Sequence, residues 1–384
     1  MIVQIRFIDS IHQLKAQDWN QLCDDGYPFC RFEFLAALED CGCTTTASGW
    51  KVAHALVYEQ GQLIAALPGY VKTHSYGEYV FDWAWADAYN RYGFSYYPKW
   101  INAIPFTPCS GPRLLTRGKI TEALIDALSH ALSQFCTSHS YSGWHCLFPS
   151  ADLSELWTTT GAAQRVGCQF HWINHSYASF DDFLTRMASR KRKNIVKERQ
   201  HVRAQGISFN VKEAAQITAA DMELFYALYR NTYLKRSGHS GYLSQDFFLR
   251  LVETFSECLV LVCAVVQRAE HDPVIAAALF FRDQQTLYGR YWGCFEEYQF
   301  LHFETCYYQG IDYAIANHLR RFDGGAQGEH KIARGFEPTM TFSNHYLQAE
   351  EFRPAITNFL QQEARQIQQY IVDARELLPF KREH

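Results

Sequence analysis

Three apolar stretches follow one another with only short gaps between them: Leu259-Val260-Leu261-Val262-Cys263-Ala264-Val265-Val266-Gln267, Val274-Ile275-Ala276-Ala277-Ala278-Leu279-Phe280-Phe281-Arg282 and Thr286-Leu287-Tyr288-Gly289-Arg290-Tyr291-Trp292-Gly293. Runs of this length, rich in β-branched and aromatic residues, read as a hairpin followed by a third strand. A helix over 300–318 comes next, then a strand opening at 321–323 that runs into a glycine-rich loop, and a further strand at 340–347. The first half shows the same outline. Helices at 11–23 and 31–40 precede a hairpin of 50–58 with 62–71, joined at Glu59-Gln60-Gly61, and then come helix 121–138 and strand 141–148. The expected fold class is therefore α/β with mixed sheets, in two copies of one unit: 1–178 and 179–384. The second unit carries a basic helix at 180–205 and an amphipathic helix at 352–378.

Composition narrows the classes. Of the 384 residues, 48% are hydrophobic and 20% charged, which excludes a disordered chain. The formal net charge of −4 offers no global basic field for DNA. Residues 1–10 lack the pattern of a secretory leader, and no apolar run approaches the roughly 20 residues of a spanning helix. The expected place is the cytoplasm, with transient contact at a membrane surface left open. Twelve cysteines without any C-x-x-C fit reduced thiols, and no metal-ligand spacing stands out.

Charge is concentrated locally. Residues 186–203 hold eight Lys/Arg and one acid, Glu198. On a helix, Leu184, Ala188, Ile195 and Val202 form an apolar stripe, while Arg190, Lys193 and Lys197 share the opposite row with Arg186. Arg192, Arg199 and Arg203 form a second row, and Lys191 falls on the apolar stripe. Two basic rows suit the phosphates of a nucleotide, a lipid carrier or RNA, although such a run also serves as a solvated face.

The stretch Ser189-Arg190-Lys191-Arg192-Lys193-Asn194-Ile195 resembles the basic helix of Fem-type peptidoglycan aminoacyltransferases. Together with His74-Ser75-Tyr76-Gly77-Glu78, Pro105-Phe106-Thr107-Pro108, Leu287 to Gly293, Leu301-His302-Phe303-Glu304 and Gly325-Ala326-Gln327-Gly328-Glu329-His330-Lys331-Ile332-Ala333-Arg334-Gly335-Phe336, it is similar to the FemAB-like family of N-acyltransferases over nearly the whole chain. The resemblance implies tandem GNAT-like (acyl-CoA N-acyltransferase) domains. It also implies transfer of an acyl or aminoacyl group, from acyl-CoA or aminoacyl-tRNA, to an amine on a small molecule or cell-wall precursor. No tightly bound cofactor is expected.

Acyl transfer needs a proton acceptor, a polarised carbonyl and a place for the leaving group. The strand 287–293, with Gly289 and Gly293, is the candidate for a splayed strand presenting backbone N–H groups. The loop after it, Cys294-Phe295-Glu296-Glu297-Tyr298-Gln299-Phe300, has two acids and no glycine where a pyrophosphate-binding turn would lie. Glu304 is a candidate base among Tyr288, Trp292 and Phe303, and equally a carboxylate favoured by a helix start. Glu329, His330 and Lys331 offer a base, an imidazole and a cation. Lys331 is the residue that the Fem resemblance carries over. Arg190, Lys191, Lys193, Lys197, Tyr288, Arg290, Trp292 and Arg334 are the candidate substrate and phosphate contacts. In the first half, Lys72, His74, Glu78, Asp82, Asp87, Arg91 and Lys99 lie among aromatics, as in a groove wall for sugar faces or peptide or in a surface hairpin. A non-catalytic protein recognising a cell-wall or anionic ligand on the same fold is the alternative to an enzyme.

Overall fold

In the computed structural model, which describes residues 3–23, 26–268, 272–326 and 328–381, the three opening strands span Leu259–Val266, Val274–Arg282 and Thr286–Cys294. They pair antiparallel in that order, with Ile207–Glu213 on the outer side of the first. Thr286–Cys294 then runs parallel to Arg321–Asp323, which pairs antiparallel with 171–173. Every residue of Leu259–Val266 is buried, because the strand is covered on both faces and can be apolar throughout. The helix Ala219–Ser237 lies against Thr286–Cys294 at Gly293, where a Cβ would meet the Leu228 backbone at 2.2 Å.

These elements belong to the second of two compact units, Gln169–Thr339 with Ile371–His384; the first is Met1–Cys168 with Met340–Tyr370. Where the sequence reading places one boundary at 178/179, each unit draws on two stretches of chain. In the first unit, 343–347 pairs with Gly143–Leu147, followed across the sheet by Lys99–Asn102, Gly69–Lys72 and Trp50–Val52. A second, four-stranded sheet holds Val3–Ile8, His54–Glu59, Gln62–Leu67 and Leu115–Thr116. The helix Glu122–Ser138, capped by the Thr121 side chain accepting from the Leu124 N–H, packs Leu124, Ile125, Leu128 and Leu132 into a core with Trp100, Trp144 and Trp157.

Three expectations need correction. Each arm of the hairpin expected over 50–71 is broken, at Ala53 and at Pro68, so that its two halves serve different sheets. Pro68 has no N–H to continue a ladder. The aromatic stretch after it is no surface hairpin; it contains the helix Trp83–Arg91. The basic helix is also interrupted. Phe180–Thr185 and Ser189–Ala204 are separate, because the backbone between them is taken by the tail: Ala188 N–H donates to the Pro379 carbonyl and Lys381 N–H to that of Arg186. Helical arithmetic run through this break put Lys191 on the apolar stripe. It is exposed in the first turn, and the buried stripe begins at Ile195.

Candidate functional site

The strands Thr286–Cys294 and Arg321–Asp323 pair only through Thr286, Leu287 and Tyr288. Beyond Tyr288 they part. On the other side of Thr286–Cys294 the register shifts, with Leu279 opposite Tyr291 and Phe280 opposite Gly289, so Arg290 is the extra residue of a bulge. A cavity of about 120 Å³ opens here, between Gly289, Arg290 and Trp292 on the strand and His302, Cys306 and Tyr307 on the following helix. That helix is α-helical over Leu301–Phe303, π-helical over Glu304–Tyr308 and α-helical again over Gln309–Ala316. The wider π turn is a recurrent feature of functional sites.

The His302 ring stands edge-on to Trp292, with centroids 5.3 Å apart. Burial, then His330, Arg236, Lys331 and Arg334, push its pKa down to about 3, so the imidazole is neutral at pH 7. The Trp292 indole N–H is buried and has no acceptor among the described residues. Tyr307 joins the cavity to the outside, its hydroxyl 2.9 Å from Nε2 of the exposed His330. Burial holds the Tyr307 phenol well above its ordinary range, and burial with Arg334 and Lys331 lowers His330. His302, Cys306 and Tyr307 were not singled out in the sequence. The available signal was the pair of aromatic runs flanking an acidic loop, Tyr288–Trp292 and Leu301–Tyr308.

The sequence-derived candidates divide into groups. Arg290 and Trp292 line the cavity. Tyr288 lies at the paired end of the strand, and its hydroxyl donates to Asp283 Oδ2 at 2.7 Å. Glu304 is buried in an ion pair. Arg199 Nη2 and Nε reach its Oε1 at 2.9 and 3.1 Å, and Gln309 Nε2 donates to the same oxygen at 2.8 Å. Lys331 is buried, with Nζ donating to the Gly325 carbonyl at 2.7 Å. Arg334 lies over the Phe303 ring at 3.4 Å and donates to Glu198, which also accepts from Tyr308. Glu329 is exposed, and Gln327 lies outside the described residues. Arg190, Lys191, Lys193 and Lys197 are all exposed on the basic helix, while Arg199 on its inner face is buried. In the loop before the cavity helix, Glu296 accepts from Arg268 Nη2 at 2.7 Å.

Four of the seven charged residues singled out in the first half are buried, while Asp87 and Arg91 are exposed on the helix Trp83–Arg91. Lys72 and Lys99 are cross-strand neighbours and, like Glu78 and Asp82, are buried. Lys99 Nζ donates to Glu78, Asp82 and Ser75. Lys72 lies 3.9 Å over the Trp50 ring, and burial lowers its pKa to about 7. Lys99 is thus paired inside the protein with Glu78 and Asp82, while Lys72 donates to the Tyr76 carbonyl, an arrangement that a reading of residue types as surface groups misses. No described helix is long and apolar enough to cross a membrane.

A family model described as peptidoglycan biosynthesis/recognition, FemAB-like, matches residues 10–382. A search of curated proteins by sequence gives no match. Among solved structures, the crystal structure of FemX is similar at 9% identity and a TM-score of 0.56, over 90% of this chain and 98% of that one. The structure of L-PGS from Bacillus licheniformis is similar at 9% identity and a TM-score of 0.50, over 88% of this chain and 98% of that one. A conserved protein of unknown function from Bacteroides thetaiotaomicron gives 10% identity and 0.51, over 89% and 99%. At such identities the likeness bears on the fold alone, which is mixed α/β.

Proposed function

The chain belongs to the FemAB-like family, and on that footing we propose that it is an N-acyltransferase moving an acyl or aminoacyl group from an activated donor, acyl-CoA or aminoacyl-tRNA, to an amine on a cell-wall precursor. The observation that supports this best is the cavity at the mouth of the parted strands, bounded by a bulge and a π turn. Beyond Tyr288 the bulged strand pairs with no described strand on that edge, and backbone N–H groups of such a stretch can serve an oxyanion.

In this reading the donor carbonyl enters between Gly289 and Trp292. The amine nitrogen bonds to the carbonyl carbon, the carbon–leaving-group bond breaks, and the departing group keeps the electron pair. The amine's proton passes to the Tyr307 hydroxyl as Tyr307 gives its own to His330 Nε2, which is open to water. His330, lowered from its usual pKa, is unprotonated at pH 7 and able to accept it. Tyr307 is the catalytic residue here, and His330 acts through it. Arg190, Lys191, Lys193 and Lys197 hold phosphates of donor or precursor, and Lys331 and Arg334 shape the loop beside the cavity.

Mass spectrometry of ligand co-purified with the native protein identifies the precursor. Incubating that precursor with candidate donors should raise its mass by one acyl increment, and Tyr307→Phe should slow this by about a hundredfold. A precursor that binds yet is unaltered by every donor would reject transfer and leave recognition alone.

A further inference from the structure

Charge at the cavity bears on the kind of acyl group it takes. Among the described residues its lining includes the Arg290 guanidinium and no carboxylate. The surroundings have the same sign. The charged groups acting on His302 are Arg236, Lys331 and Arg334, the last paired with Glu198, and Lys331 and Arg236 also act on the Cys306 thiol beside it. Three nearby acids are engaged elsewhere, Glu304 with Arg199, Glu198 with Arg334 and Tyr308, and Asp323 with the Gly325 N–H, while Glu297 and Glu329 are exposed to water outside the lining. The cavity also presents a donor, the buried Trp292 indole N–H that has no acceptor among the described residues. An ammonium placed here would be desolvated beside cations with no carboxylate to receive it. A carboxylate would meet a donor and a favourable potential.

From these groups we infer that the cavity takes a small acyl group bearing a carboxylate, which accepts from Trp292 Nε1 beside Arg290, and not the free ammonium of an aminoacyl group. The inference rests on the acyl-transfer reading of the same cavity, and it narrows the donor to a short dicarboxylic acyl derivative. A volume of about 120 Å³ suits a chain of a few carbons and not a fatty acyl tail.

The test uses two probes of similar size and opposite charge, monomethyl succinate and glycine methyl ester. Each is titrated into the ¹⁵N-labelled full chain while the indole N–H resonances are followed. The Trp292 signal is assigned by its loss in Trp292→Phe. Monomethyl succinate should shift that signal saturably and bind at least about tenfold more tightly than glycine methyl ester. Arg290→Gln should weaken it by about tenfold, and this loss of affinity tests the same cavity if Trp292→Phe fails to fold. Glycine methyl ester binding equally or better would overturn the inference, as would no saturable shift with either probe. The first result leaves acyl transfer standing with an aminoacyl donor. Failure of the precursor assay, with monomethyl succinate still bound, would fall on the transfer reading alone.

Discussion

Arg199 holds Glu304 through two nitrogens, Nη2 at 2.9 Å and Nε at 3.1 Å from Oε1, and its Nη2 also reaches Asp312 at 2.6 Å. The pair joins the inner face of the basic helix to the π turn of the cavity helix. Glu304→Gln would leave the Arg199 guanidinium buried with only the more exposed Asp312 as its anion. Removing one partner of a buried pair costs about 3–5 kcal/mol, and Asp312 brings the expected loss to the lower end. A thermal melt of this variant should fall by several degrees. An unchanged melt would mean that the pair adds nothing to stability.

The outer face of the same helix should behave in the opposite way. Arg190, Lys193 and Lys197 are exposed, so neutralising all three should leave the melting temperature within about a degree. Pyrophosphate binding at low ionic strength should weaken, and its dependence on salt should flatten. Equal affinity in the triple variant would return these residues to the role of a solvated face.

Acetyl-CoA should bind poorly. The turn ahead of the cavity helix carries Glu296 and Glu297, both exposed, and Phe300 at its end takes a φ of 67° where glycine would be at ease. Glu296 is paired with Arg268, so it is chiefly Glu297 that repels a pyrophosphate approaching that helix start. Calorimetry should show no binding of acetyl-CoA below about millimolar; a micromolar dissociation constant would mean that the pyrophosphate avoids the turn or tolerates its acids.

Acid should destabilise the chain through its buried histidines, offset in part by Glu78, whose carboxyl is pushed up to about 7 by burial so that the folded state takes that proton first. Burial pushes His145 and His302 down to about 3. An unfolded histidine titrates near 6.5, so the unfolded state binds these protons first. The stability is fully present above pH 6.5 and is lost as pH falls toward 3, by about 1.4 kcal/mol per unit for each group. Between pH 6.5 and pH 5 each histidine should remove about 2 kcal/mol. Urea midpoints at pH 7 and pH 5 measure this, and coincident midpoints would show that both rings protonate in the folded state.

What could be read in the sequence was local. The strands at 259–293 and the helix at Glu122–Ser138 with its Thr121 cap announce themselves through apolar runs and a capping residue. The parted strand was legible through Gly289 and Gly293, and Arg290 and Trp292 with it. Pairings across long separations were not. Glu304 reads as a free carboxylate until Arg199, 105 residues away, is seen against it. Lys99 reads as a surface lysine until Glu78 and Asp82 close over it. The break at 186–188 depends on a tail nearly 200 residues later, and no helical periodicity within 180–205 could reveal it. The Tyr307–His330 contact likewise joins two loci, each plausible alone as a core aromatic and an exposed loop histidine.

The first unit needs Met340–Tyr370 as well as Met1–Cys168, and 343–347 supplies the neighbour of Gly143–Leu147. On the ribosome this unit cannot be completed when its first 168 residues emerge. Gly143–Leu147 must wait with one edge open through the synthesis of the intervening 171 residues, 169 to 339, while the bulk of the second unit is already available to fold. Although its sequence begins first, the N-terminal unit is therefore completed late in translation, and the exposed strand edge in between is where a nascent-chain chaperone would be needed.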